Sequence, residues 1–338
     1  MRKKINIKFQ NGLSFETATA EILSELQDDY EFIDSDKPDF IVFGPYGNDV
    51  PVRGDYTRIG YFCENMKPDF SSCEWAFGIP RGEEINNEKY FRIQWHGLNP
   101  KQLVKNLTDN EIDRILDQKK NFCNFLYSNE VPFRERFFKE LSKYKKIDAP
   151  GKSMNNMPNM DHGFQGTTWE RKRGFLSSYK FTIAFENYVY PGYQTEKLYD
   201  PMQVNSLPIY LGDSYVTEIF NPKSFINAQD YLDLKKNTLI SFVEKHAQQD
   251  FVDLRPHIYR KPNHHLSRKV KKMGRLLKMD LQLGKAGFTA LIDQIINIDQ
   301  DQELYIQYLK QPWFHHNQIP AYTSSKMQWN KIFDGNNA

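Results

Sequence analysis

The stretch that decides the fold runs from Tyr179 to Gly212, YKFTIAFENYVYPGYQTEKLYDPMQVNSLPIYLG. Its opening residues are rich in aromatic and β-branched side chains, which predicts a buried strand over Phe181 to Phe185 that ends at Glu186-Asn187. A Pro191-Gly192 turn follows, then a helix over Thr195 to Val204 with Thr195 as its N-cap and Glu196 and Lys197 in the first turn. The apolar run Pro208 to Leu211 is a second strand. Strand, helix, strand implies parallel pairing through a helical crossover, the signature of an α/β layer. In that arrangement the free N–H groups and positive dipole end of the helix point into the crevice at the carboxyl end of the strand, where a phosphate is favoured. A lysine there adds a full charge against a departing diphosphate, and a neighbouring carboxylate can accept from ribose hydroxyls. Helix capping with a solvated lysine is the plainer reading of the same residues, and spacing alone leaves both open. Neither GxGxxG nor GxxxxGK[ST] occurs, so the common dinucleotide and P-loop fingerprints are not supported.

The same grammar extends outward. Strands are predicted over Lys4 to Phe9, Pro38 to Phe43 and Thr57 to Phe62, with helices over Phe15 to Leu26 and Asn110 to Leu116. A further strand, Phe122 to Tyr127, precedes a helix over Val131 to Tyr144 opened by Pro132. The Gly-, Pro-, Asn- and Met-rich segment Asp148 to Gly166 has no period and reads as a hinge or site loop. Beyond it, Glu170 to Ser178 reads as a helix, Ser224 to Asn227 as a strand and Tyr231 to Gln248 as one long helix. With 338 residues, two successive α/β layers imply two domains, a pair of doubly wound sheets facing each other across a cleft.

Charge sharpens this. Lys and Arg number 45 against 43 Asp and Glu, a net of +2. Leu254 to Met279 alone holds nine Lys or Arg and no acid, leaving the rest of the chain at −7. Leu266, Val270, Met273 and Leu277 share one face there, which predicts a basic amphipathic helix, with a solvated face packed on the main body and a membrane-surface helix both open. A nucleic-acid groove is not supported, since Tyr259 is the segment's one aromatic residue. Cys63, Cys73 and Cys123 form no CxxC, so neither a disulfide framework nor structural zinc is indicated, and a reducing compartment fits. The adjacent pairs His264-His265 and His315-His316 would diverge on most backbones and make poor zinc ligands. No signal-peptide core and no spanning segment is expected; the longest uncharged stretch, Gln311 to Ser325, contains two His and two Pro.

The run FENYVYPGYQTEKLYDPMQVNSLPIYLGDSYVTEIFNPKSFINAQD closely resembles the core motif of the α-1,3-fucosyltransferases, inverting enzymes that use GDP-fucose. FLYSNEVPFRERFFKELSKYKKIDAPGK and FLSSYKF are similar to the strand, Arg-bearing helix and hinge that precede that motif, and YFCENMKPDFSSCEWAFG to the family's acceptor segment. The resemblance implies the GT-B architecture of two Rossmann-like domains facing across a cleft. It implies an acceptor-binding domain over 1–148, with an end near 120 as the alternative, a GDP-fucose-binding domain over 149–310, and a tail over 311–338 packing back on the first. It further implies transfer of L-fucose to GlcNAc or Glc of a galactose-capped acceptor such as N-acetyllactosamine, an oligosaccharide or glycolipid of Lewis-antigen type. Another linkage, α-1,4, another donor, and a catalytically silent glycan- or nucleotide-binding protein stand as alternatives.

Carried over residue by residue, the resemblance makes Glu64 the general base for the acceptor hydroxyl. It makes Asn187, Tyr193, Thr195, Glu196 and Lys197 donor contacts, with Lys197 on the diphosphate and Glu196 on the ribose. Relatives often place an Arg in the hinge; here Lys152 stands there, a point charge in place of a bidentate fork, with Arg134 behind it. Pro201 also departs from the pattern and is expected to end or kink its helix. No cofactor and no metal is implied, GDP-fucose being the donor substrate. A bacterial, cytoplasmic enzyme, peripheral at the inner face of the membrane through 254–279, completes the expectation.

Overall fold

The computed structural model describes residues 2–160, 163–235, 237–254 and 262–335. They form two compact units. One draws its described residues from Met1–Asn99, Ser241–Leu276 and Pro320–Ala338, the other from Pro100–Ile240 and Leu277–Ile319.

The first unit is built on β1 (Lys3–Gln10), β2 (Tyr30–Asp34), β3 (Phe40–Phe43), β4 (Thr57–Phe62), β6 (Trp75–Gly78) and β7 (Tyr90–Arg92). Every pairing is parallel, in the order β2-β1-β3-β4-β6-β7. Between β4 and β6 lies the two-residue β5 (Met66–Lys67), which pairs in parallel with β13 (Gln249–Asp250). The helix expected over Phe15 to Leu26 is α1 (Phe15–Glu21), N-capped by Ser14, followed by a separate 3-10 turn at Ser24–Leu26. Phe43, Phe62 and Phe251 close the core at ring separations of 4.6 to 5.9 Å. On the same unit Trp329 stacks on Phe77 at 4.2 Å.

The second unit holds β8 (Asn121–Asn124), β9 (Ile147–Asp148), β10 (Tyr179–Phe185), β11 (Leu207–Leu211) and β12 (Ile226–Asn227), again all parallel, in the order β12-β11-β10-β8-β9. Its helices include α3 (Asp109–Gln118), α4 (Pro132–Leu141), α5 (Thr168–Ser177) and α6 (Glu196–Gln203), in chain order after the short α2 (Gly82–Ile85) of the first unit. Thr108 with Glu111 and Thr167 with Glu170 form complete capping boxes on α3 and α5, which fixes where each begins. Phe125, Phe137, Phe181, Ile183 and Ile209 are fully buried at the centre.

Further expectations are corrected. The first stretch of the first unit ends at Asn99, ahead of both 148 and the alternative near 120: β8 pairs with β10, so the strand after Lys120 lies in the second sheet and helix α4 in the second unit. The long helix expected over Tyr231 to Gln248 is only α7 (Thr238–Ala247), because the Asn237 side chain accepts from Ile240 N at 2.8 Å and starts the helix there. Pro201 lies inside α6 without ending it; the helix runs on to Gln203, and the Pro201 carbonyl accepts from Ser206 N at 2.9 Å beyond it. The basic segment is helical over α8 (Pro262–Leu283), while 255–261 lies outside the described residues. Lys278, counted with its basic face, is instead buried, with its ammonium on Val189 O.

Candidate functional site

Strand β10 delivers its chain to the head of α6, and the bonds there begin with a carboxylate. Glu186 N still donates to Leu211 O at 2.8 Å, extending the ladder by one residue. Its side chain turns inward, fully buried, and accepts from Thr195 N at 2.9 Å and from Thr195 Oγ1 at 2.8 and 2.9 Å. Burial pushes the Glu186 carboxyl up, with the Lys197 charge and the Thr195 bonds holding it back. Thr195 is thereby fixed as the N-cap of α6, with Oγ1 accepting from Lys197 N at 3.4 Å.

Lys197 Nζ sits among three oxygens: Thr195 Oγ1 at 3.1 Å, Glu196 Oε1 at 3.2 Å and Glu186 Oε2 at 3.4 Å. Burial works against its charge, but the two carboxylates outweigh it and raise the pKa, so the ammonium stays protonated. Burial likewise opposes ionisation of Glu196, and Lys197 and Lys172 overcome it, holding that carboxyl below the usual range. Lys172 in turn pairs with Asp200 at 2.6 Å on the next turn of α6.

The loop entering α6 hangs on a second buried carboxylate, Asp213. It accepts from Gly192 N at 2.6 Å, Gln194 Nε2 at 2.6 Å and Tyr215 N at 2.9 Å, and its own N–H donates to Tyr210 Oη at 2.9 Å. Gly192 has φ +83°, a conformation that the tight Pro191-Gly192 turn requires and glycine adopts without strain. Tyr193 is buried inside this loop, and its carbonyl accepts from Tyr210 Oη at 3.4 Å.

Arg134, 1% exposed, reaches up from α4. Its Nη1 donates to Phe185 O at 3.2 Å and Asn187 Oδ1 at 3.1 Å, its Nη2 to Asn129 O at 2.6 Å, and its guanidinium lies 3.5 Å from the centre of the Tyr127 ring. The structure therefore joins Arg134 directly to Asn187. Lys152 lies exposed on the hinge loop, whose Ser153 N donates to Tyr127 O at 3.0 Å. Gly151 passes so close that a Cβ would stand 2.3 Å from Tyr127 O, so only glycine fits.

Glu64 belongs to the first unit, one residue past the Cys63 that follows β4, and is half-buried. The turn after it is tied by Met66 N to Glu64 O at 2.7 Å and by Gln248 Nε2 to Asn65 Oδ1 at 3.2 Å. Burial first, then the Glu64 charge, pushes the Cys63 thiol up to about 12, so it remains protonated near neutrality.

Sequence reasoning missed Glu186, Asp213, Tyr127 and Gln248. The first two had a local signal: each is an acid one step beyond a central parallel strand or its Gly, where a buried carboxylate can collect loop amides. Tyr127, whose hydroxyl donates to Ile183 O and accepts from Phe185 N, both at 2.7 Å, had none. Among the described residues no cluster of three or more His, Cys, Asp or Glu could hold a metal ion, and no helix is long and apolar enough to cross a membrane.

Two all-parallel α/β units, one with an ammonium and two carboxylates at a helix N-terminus beside a central strand, have the GT-B architecture. Residues 116–265 match the family described as glycosyltransferase family 10 (fucosyltransferase), C-terminal part, and residues 7–98 match the alpha-(1,3)-fucosyltransferase FucT N-terminal domain. The chain belongs to this family. A protein of Acanthamoeba polyphaga mimivirus that carries the provisional name of a fucosyltransferase is 40% identical over 117 residues, 33% of this chain and 20% of that one. The alpha-(1,3)-fucosyltransferase FucT of Helicobacter pylori is 28% identical over 227 residues, 56% of this chain and 45% of that one. The chain thus spans less than half the length of these curated relatives. A crystal structure of an alpha1,3-fucosyltransferase with GDP-fucose shares the fold, with a TM-score of 0.61 at 20% identity over 99% of this chain and 91% of that one.

Proposed function

We propose that the chain transfers L-fucose from GDP-fucose, with inversion, to the 3-hydroxyl of GlcNAc or Glc in a galactose-capped acceptor such as N-acetyllactosamine. The observation that carries this reading is the head of α6. An ammonium held protonated by two carboxylates stands in the first turn of a helix, where backbone N–H groups and the helix dipole already favour a diphosphate. Lys197 compensates charge on the departing GDP, and Glu196, ionised and half-exposed, accepts from the ribose hydroxyls. Thr195 and Glu186 hold that pair in place. Arg134 orients Asn187 toward the donor, Tyr193 shapes the loop near the sugar and phosphate, and exposed Lys152 supplies hinge charge to the diphosphate. Glu64 takes the proton of the attacking hydroxyl while the new C–O bond forms at the anomeric carbon and the bond to phosphate breaks.

Peripheral contact with an anionic membrane is part of the same proposal, supported by Leu266, Val270 and Met273 exposed together on α8. Sedimentation with anionic vesicles should drop when these three become Ser; unchanged sedimentation removes this part.

The deciding experiment is an assay of GDP-fucose hydrolysis and transfer across neutral disaccharide acceptors, with the product linkage read by NMR. An α-1,3-fucosylated product is expected. An α-1,4 product would reassign the linkage, and absence of turnover with every lactosamine acceptor would remove the enzymatic reading.

A further inference from the structure

Of the five tryptophans, Trp169 alone stands exposed, at 52%. Trp313 and Trp329 are fully buried, and Trp75 stacks on Phe91 at 5.7 Å. Among the described residues no other ring stacks on Trp169; its indole meets the Lys172 ammonium, 5.5 Å from the ring centre and within cation–π range. A half-bare indole is a large apolar face left in water, on a side chain that elsewhere in this chain is packed.

Its place in the fold gives that face a use. Helix α5 runs into β10 at Tyr179 and α6 follows β10, so both helices begin at the carboxyl end of the sheet, where ligands of parallel α/β folds bind. The capping box of Thr167 and Glu170 pins the first turn of α5, with Trp169 between them. Lys172, three residues on, joins the two helix heads: its Nζ lies 2.6 Å from Asp200 Oδ2 and 3.9 Å from Glu196 Oε1 while it sits against the indole. One lysine thus stands beside both the exposed ring and the carboxylate assigned to the ribose. In a nucleoside the base is bonded to the carbon next to the one that bears the 2′-hydroxyl. A ribose whose hydroxyls bond Glu196 therefore carries its base within reach of Trp169.

We propose that Trp169 is the platform on which the guanine of the donor stacks. The proposal rests on the fucosyl-transfer reading and deepens it by assigning the base to one side chain. Every base has a π-face, so Trp169 supplies affinity for the nucleoside rather than a choice among bases. Its backbone is fixed by the capping box before the donor arrives, which leaves little ordering cost to binding. Lys172 is a positioning residue: it sets the indole and Glu196 at one spacing, the ring for the base and the carboxylate for the sugar.

The test removes the base from the ligand and the ring from the protein, one at a time. By calorimetry the wild-type chain should bind GDP about five- to a hundredfold more tightly than ribose 5-diphosphate, the scale of one base stacked on an aromatic side chain. Trp169→Ala should abolish most of that ratio by weakening GDP alone, and Trp169→Phe should keep a larger part of it. Equal wild-type affinity for the two ligands overturns the proposal, and so does a Trp169→Ala variant that keeps the ratio. A Trp169→Ala variant that weakens both ligands alike also overturns it, since that assigns the residue to the fold of the α5 head. Should Trp169→Ala melt early, indole fluorescence carries the same question. GDP should quench a component in the wild-type chain that is missing from Trp169→Phe, and equal quenching in both overturns the stack. A chain that binds neither ligand fails the donor reading and this proposal with it. A chain that shows the ratio and its loss but transfers no fucose fails the transfer reading alone.

Discussion

Each unit places a Glu-Asn pair at the carboxyl end of a central parallel strand, Glu64-Asn65 after β4 and Glu186-Asn187 after β10. In both, a donor from another element holds the Asn side-chain oxygen: Gln248 Nε2 at 3.2 Å in the first, Arg134 Nη1 at 3.1 Å in the second. The carboxylates diverge. Glu186 is sealed in and spends its oxygens on the N-cap and ammonium of α6. Glu64 is half-buried and keeps a face toward solvent. The same dipeptide at the same topological place thus serves as a brace in one unit and, on the function proposed, as a base in the other. Burial separates the two roles, since a carboxylate must reach its substrate to take a proton and must be removed from water to lock a loop.

The sharpest way to break the comparison is to exchange what each carboxylate is asked to do. Glu64→Ala should lower transfer by about 10²- to 10⁴-fold, the usual contribution of a general base, with GDP affinity unchanged. Transfer at the wild-type rate would end the assignment. Glu186→Ala should act instead on the fold of the second unit. Breaking a buried ion pair and leaving its partner typically costs about 3 to 5 kcal/mol. Denaturant titration should show that loss, together with weakened GDP binding. A normal melt with slow transfer would make Glu186 the reacting group and invert the comparison. Lys197→Ala comes next: GDP affinity should fall by about 1.5 to 3 kcal/mol, the range for hydrogen bonds to charged groups. Calorimetry giving the wild-type value would move the diphosphate elsewhere.

How much of this contrast was legible in the sequence depends on the distance over which each part is decided. Strands β4, β10 and β11 announce themselves through runs of buried aromatic and branched residues, and the start of α6 through Thr195, because these are local patterns. Strands β6 and β7 are short, and they emerge from pairing with neighbours rather than from their own residues. The unit boundaries were hidden for a similar reason. The chain leaves the first unit after Asn99 and returns at Ser241 and again at Pro320, which only long-range packing decides. Asp213 bonds residues 19 and 21 positions earlier, so its identity as an acid was visible and its task was not.

The two Asn clamps give the finest distinction, and the smallest expected effects. Arg134→Lys keeps a charge but cannot span Phe185 O, Asn187 Oδ1 and Asn129 O with one ammonium while lying flat on Tyr127. Its cost should exceed that of Gln248→Leu, which gives up one neutral bond to Asn65, about 1 kcal/mol. The two should also separate by substrate: Arg134→Lys should raise the KM for GDP-fucose, and Gln248→Leu the KM for the acceptor. Each Asn belongs to a different unit and sits next to a carboxylate with a different role, so loosening one clamp should leave the other substrate's KM untouched. If both variants shifted the same KM, the pairs would be serving one substrate, and the division of labour between Glu64 and Glu186 would have to be redrawn.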